Sequence, residues 1–259
     1  MELLREQLML ALLGALGEEI TGIHRQMTID EVIAAPDCKL YRGKYGNRDC
    51  LLAQTGMGKE RVEAATRFIL RQFRVSAVIS LGFAGALTAE LRAGDIIVCS
   101  TLCYCNGRTH GGLEFESLSS DASLLALITR ALGSSRIRLY YGSSVTVPQL
   151  LSNRESKEEL SKISRAYIAD MESYWVARIA FQEKIPFLAI RAVSDTCQES
   201  LPPFDRILAG DGSWLWGKTF SHLVLHPQDL FRLPGLYSSS RKARNSLTDC
   251  VAQILAGMS

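Results

Sequence analysis

The sequence has almost no surplus of charge: 29 lysines and arginines against 27 aspartates and glutamates leave a formal +2. A surface that tracks phosphates carries a basic stripe interleaved with aromatics. None is present, so nucleic acid is not an expected partner. A membrane-spanning apolar run is also missing. The apolar stretch Leu8–Leu16 is far too short to cross a bilayer. Glu2 and Glu6 ahead of it, with Glu18 and Glu19 behind, deny it the basic leader of a secretory signal. It is expected to be a buried first strand of a cytoplasmic protein. The seven cysteines form no regular framework, and an odd count points to reduced thiols. Cys99, Cys103 and Cys105, with His110 nearby, fit no common zinc spacing, so no metal is expected. Repeats, low-complexity tracts and a linker are lacking as well, which leaves one domain over 1–259 with an elaborated C-terminal region over 200–259.

What is present is ordinary globular composition, 47% apolar and 22% charged, enough to build a sizeable core. Short runs rich in Val, Ile and Leu alternate with longer stretches of helical period, the pattern of a mostly parallel sheet covered by helices. Strands are expected at Leu8–Gly14, Cys50–Thr55, Ala77–Gly82, Asp95–Ser100, Arg138–Val145 and Phe187–Ser194, buried on both faces. Lys59–Phe73 sets Val62, Ala65, Phe68, Ile69 and Phe73 along one helical face. Asp121–Leu132, with Asp121 as N-cap, Glu172–Lys184 and Arg241–Leu255 are the other expected helices.

Two single segments and one pair, at expected strand or helix ends, carry groups that a plain core does not need. Gly56-Met57-Gly58-Lys59 leads from a strand into a helix, where free amides could meet an anion or a ribose oxygen, or simply make a tight turn. Gly82-Phe83-Ala84-Gly85-Ala86 reads as a second small-residue turn, open either to close ligand approach or to close packing. Asp170-Met171-Glu172-Ser173 and Arg191-Ala192-Val193-Ser194-Asp195 place carboxylates at a helix start and a strand end. Capping is the alternative to chemistry for each.

In this order, and with Gly94-Asp95-Ile96-Ile97-Val98, these segments resemble the nucleoside phosphorylase and methylthioadenosine/adenosylhomocysteine nucleosidase superfamily. The resemblance runs from near the start of the chain to Asp195. It implies an α/β fold with a mixed, partly barrel-like central sheet flanked by helices. Beyond Asp195, Leu201-Pro202-Pro203, Gly212, His226-Pro227-Gln228-Asp229-Leu230 and Arg241-Lys242-Ala243-Arg244 resemble the tail of hopanoid-associated phosphorylases, which implies adenosylhopane as substrate and adenine as product.

Cleaving an N-glycosidic bond leaves a ribose centre of oxocarbenium character, so the purine must be protonated while the sugar cation is stabilised. Two carboxylates in different environments can divide that work. By the resemblance, Asp195 shares a proton with purine N7, oriented by Ser194; protonation at pH 7 requires a raised pKa, available from burial at the strand end or from the purine itself. Glu172 accepts from the ribose hydroxyls and Met171 packs under the sugar. Glu19 aligns with the acid that orients attacking water, with Glu18 as competitor. Gly82, Phe83 and Ala84 flank the sugar, and Leu150 and Leu151 lie in the base-reading segment, where Pro148 departs from many relatives. The positions matching the phosphate-binding Arg and Ser of classical phosphorylases are Ser80 and Phe83. An apolar ring cannot replace a phosphate donor, so water is preferred over phosphate as nucleophile; phosphate is the co-substrate if the enzyme is a phosphorylase, and no cofactor is expected. The implied partners are a small-molecule or lipid nucleoside and further copies of the chain. Trp214, Leu215, Trp216, Phe220 and Leu223 either pack a helix, line an apolar exit or touch the inner face of the membrane. A nucleoside-binding protein without turnover is the reading from another class.

Overall fold

The computed structural model describes residues 8–35, 38–109, 112–133, 135–201 and 227–258. Its strands are β1 (Met9–Gly14), β2 (Met27–Ala35), β3 (Cys38–Tyr45), β4 (Arg48–Gln54), β5 (Val75–Ala86), β6 (Ile96–Thr109), β7 (Gly112–Ser119), β8 (Leu139–Thr146), β9 (Ile168–Asp170) and β10 (Phe187–Asp195). The helices are α1 (Gly17–His24), α2 (Lys59–Gln72), α3 (Ala122–Leu132), α4 (Arg154–Ser164), α5 (Ser173–Gln182) and α6 (Pro227–Gly257).

All ten strands join one mixed sheet, and part of it closes on itself. β5 pairs with β10, β10 with β6, β6 with β8, β8 with β9, and β9 returns to β5. This five-stranded ring is the barrel-like part of the expected fold. From β5 the sheet continues outward through β1 and β4 to the antiparallel β3 and β2.

The alternation along β1 explains why so apolar a run is needed. Met9, Ala11 and Leu13 face one core with α2 and α5, while Leu10 and Leu12 face a second with α1, α3 and α6. Both faces of the strand are therefore dry. Val62, Ala65 and Ile69 of α2 close the first core, and Leu124, Ile128 and Leu132 of α3 the second. Asp121 caps α3 as expected, its Oδ1 accepting the Leu124 amide at 2.8 Å.

Three expectations need correction. Gly82–Ala86 is not a turn: β5 runs unbroken to Ala86, since β10 on one side and β9 on the other supply ladder partners for its last residues. Burial on both faces fails in β8, where Tyr141 is exposed. The last helix begins earlier than Arg241, at Pro227. The tail residues Trp214, Leu215, Trp216, Phe220 and Leu223, the Pro202–Pro203 pair, Gly212 and His110 lie outside the described residues. Among the described residues, no helix is long and apolar enough to cross a membrane.

Candidate active site

The C-terminal ends of β1, β5 and β10 and the end of β9 meet on one side of the ring, where an α/β sheet leaves its crevice. Four acidic side chains converge there. Glu19 is in the first turn of α1, not in a loop, and its carboxylate is only 5% exposed while Glu18 points to solvent. That difference settles which of the two acids faces the site. Glu19 Oε2 accepts the Leu16 amide at 2.8 Å, and Oε1 accepts the Phe83 amide at 2.9 Å. Burial pushes its pKa up, opposed by these amides and by the charge of Arg191.

Glu172 precedes the first turn of α5, and its Oε1 accepts the Gly58 amide at 3.1 Å. The glycine turn before α2 thus serves a carboxylate of the protein itself. Gly56 and Gly58 sit at φ of 76° and 91°, a region that side chains with a Cβ rarely enter. The Glu172 carboxyl is pushed up to about 8, first by burial and then by the charges of Glu19 and Asp170.

Asp170 has a different task. Its Oδ2 takes Arg191 Nε at 3.0 Å and its Oδ1 takes Thr146 Oγ1 at 2.8 Å; the Ser173 hydroxyl also donates to it. Arg191 is 2% exposed, and its other two nitrogens donate to Ser80 Oγ at 2.9 Å and to the Ile190 carbonyl at 3.1 Å. One buried guanidinium therefore balances Asp170 directly and lends positive charge to Glu19 and Glu172. The sequence placed Arg191 within a motif without giving it a role.

Asp195 ends β10 and is 3% exposed. It caps no helix. Its Oδ1 accepts from Ser194 Oγ at 2.7 Å, and its Oδ2 from Lys157 Nζ at 2.5 Å. Its partner on that side is a buried ammonium, which the sequence reading did not supply. Lys157 escaped the sequence reading: in Arg154-Glu155-Ser156-Lys157-Glu158 it looks like one more charge on a solvated helix, yet its side chain is 1% exposed.

These groups surround an open pocket of about 130 Å³. Glu19, Phe83, Ala84, Met171, Glu172, Ser194 and Asp195 line it, as do Leu150 and Leu151 from the segment before α4. Gly82 does not. It stands behind the wall, where a Cβ would come within 2.9 Å of Glu19 Oε1; at Gly85 a Cβ would come equally close to Asp195 Oδ2. The glycines make room for the protein's own carboxylates.

The family model described as "Phosphorylase superfamily" matches residues 9–210. A 5′-methylthioadenosine/S-adenosylhomocysteine nucleosidase from Staphylococcus epidermidis is 28% identical over 196 residues, covering 72% of this chain and 86% of that protein. The fold is similar to that of the Neisseria meningitidis nucleosidase of the same name, solved with methylthio-immucillin-A, at a TM-score of 0.76 and 22% identity, covering 96% of this chain and 99% of the other. A mutant futalosine hydrolase from Helicobacter pylori is similar at a TM-score of 0.65 and 25% identity, over 73% of this chain and 89% of its own.

Proposed function

This chain belongs to the phosphorylase superfamily, and we propose that it hydrolyses the N-glycosidic bond of a 5′-substituted adenosine, releasing adenine. The observation that carries the reading is the convergence of Glu19, Glu172 and Asp195 on one pocket. With the base against Leu150 and Leu151, Asp195 shares a proton with N7 as the C1′–N9 bond opens. Glu172 takes the ribose hydroxyls and favours the developing cation, with Met171 beneath the sugar. Glu19 receives a proton from the water that attacks C1′.

Water is favoured over phosphate because the Phe83 amide, in the segment that would meet a phosphate, is already bonded to the Glu19 carboxylate. A phosphate placed there would meet a negative charge and an apolar ring. The name of the curated relative supports a thio-substituted 5′ carbon. The finer reading is a lipid nucleoside, adenosylhopane, met at the inner face of the membrane; its support is the sequence of the tail after Leu201 together with exposed Arg241 and Lys242.

The test is a panel of methylthioadenosine, adenosylhomocysteine, inosine and adenosylhopane, each with and without phosphate, read as free base. Adenine release without phosphate is the expected result. Ribose 1-phosphate formed only with phosphate overturns the choice of nucleophile, and the absence of any base release by folded protein overturns the reading itself. Preference for methylthioadenosine over adenosylhopane removes the lipid assignment alone.

A further inference from the structure

Lys157 is the one lysine in the pocket wall among the described residues, and every proton of its ammonium is spoken for. Nζ donates to Asp195 Oδ2 at 2.5 Å and to the carbonyls of Thr196 and Glu199 at 2.9 Å each. A lysine with 1% of its side chain exposed loses nearly all its hydration, a loss of several kcal/mol that only close partners offset. Here those partners belong to the strand end that carries the acid and to the chain immediately after it. Leu201 adds a second tie, its amide donating to the Ser152 carbonyl at 2.7 Å. Through Lys157 and Leu201, the segment leaving Asp195 is fastened to the segment that carries Leu151 and α4.

The consequence for Asp195 is geometric. Its two oxygens are fixed by two different donors, Ser194 on one and Lys157 on the other, and Gly85 leaves the space they occupy. Nothing of this kind holds Glu172 or Glu19, whose oxygens bond backbone amides. Of the three acids given a part in the reaction, Asp195 is thus the one aimed by a charged side chain; the other acid so held, Asp170, is paired with Arg191 beneath the site. A pinned carboxylate keeps its aim at the base edge when the pocket is empty, and an aimed group loses less freedom when the substrate arrives.

We propose that Lys157 is a positioning residue for the leaving base: it holds Asp195 and the 196–199 segment so that the acid meets N7 of the departing purine. The proposal rests on the nucleosidase reading above. It assigns Lys157 no contact with the sugar or the nucleophile, so its loss is confined to reactions that need the base protonated.

The test compares two substrates with the same 5′ substituent, the adenine nucleoside and a 4-nitrophenyl riboside, whose phenolate departs without being protonated. For Lys157→Met the expected result is a kcat for adenine release lowered by at least about tenfold, and by no more than the roughly 10²–10⁴-fold that acid catalysis contributes, with KM little changed. Release of nitrophenolate should stay within about threefold of the parent, since no acid is needed there. Lys157→Arg, which keeps the charge, should recover part of the loss.

Lys157→Met leaves a buried carboxylate without its cation and is at risk of misfolding. The double variant Lys157→Met/Asp195→Asn removes both charges, and its comparison with Asp195→Asn keeps the idea open to refutation. A lysine acting through Asp195 makes no further difference to adenine release once Asp195 is gone. If Lys157→Met slows both substrates alike, or if it slows Asp195→Asn further by tenfold, Lys157 is a structural support and the proposal fails while the nucleosidase reading stands. A parent protein that releases base from neither substrate overturns both.

Discussion

Glu19 Oε1 and the Phe83 amide lie 2.9 Å apart, so the acid of α1 and the small-residue end of β5 form one unit across 64 positions of sequence. A donor that an exogenous anion could have used is taken by a fixed carboxylate. Glu19→Gln keeps the shape and can still accept the amide, but it cannot take a proton from water. Adenine release should fall roughly 10²–10⁴-fold in kcat, and added phosphate should not restore it. Absorbance of free adenine with and without phosphate checks this. A Glu19→Gln protein as active as the parent removes Glu19 from the chemistry.

How far the site was legible in the sequence depended on whether its signal was local. The segments Asp170–Ser173 and Arg191–Asp195 carry several informative residues in a row, and the structure brings both to one pocket. The ring closure could be expected only by resemblance, because pairing of β9 with β5 joins residues such as Ala169 and Gly85 that no periodicity connects. Lys157 was illegible for a physical reason. An amphipathic helix advertises which residues are apolar, and a single lysine turned inward to meet a carboxylate 38 positions away leaves that pattern unchanged. The strands β2 and β3 were missed because β2 is an edge strand whose alternation is mostly exposed, so it lacks the continuous apolar run that marks β1.

Gly85 offers a test of aim rather than of charge. A Cβ there would stand 2.9 Å from Asp195 Oδ2, and that oxygen is held by Lys157 and cannot swing freely. Gly85→Ala is therefore expected to displace the acid, lowering kcat for adenine release by roughly 10²-fold, the scale of a misplacement of about 1 Å. Thermal melting should change by much less than in a core-cavity variant. Unchanged kcat would mean that the carboxylate has room the geometry denies it.

Arg191 is the electrostatic centre of the fold beneath the site. Arg191→Met leaves Asp170 buried at the end of β9 without its cation, and breaking such a pair costs about 3–5 kcal/mol. In a chain of this size each kcal/mol is seen as roughly 2–4 °C in Tm. A loss of about 6–20 °C is expected from those two ranges, or failure to fold. Arg191→Met combined with Asp170→Asn should recover much of it, because the unpaired charge is then gone. Equal Tm for the single variant and the parent would show that Arg191 contributes nothing net.

Glu172 gives the pH dependence its sign. Its carboxyl is pushed from 4.5 up to about 8, by burial first and then by Glu19 and Asp170, so between those values the folded chain keeps a proton that the unfolded chain has released. The stability associated with that proton is complete below pH 4.5 and is lost as pH rises through about 8. Glu172→Gln stays neutral throughout. It should melt higher than the parent at pH 8.5, with the gap closing at pH 5; solvent entering through the pocket mouth softens the difference. Glu19 is shifted in the same direction and is present in both proteins, and its charge is one of the causes that raise Glu172. Function runs the opposite way. In the proposed mechanism it is the ionised form of Glu172 that stabilises the ribosyl cation, so kcat/KM of the parent should climb as pH approaches 8, reporting the free enzyme. A melting difference that is the same at pH 5 and pH 8.5, measured by calorimetry on both proteins, would show that this carboxyl ionises normally in its pocket.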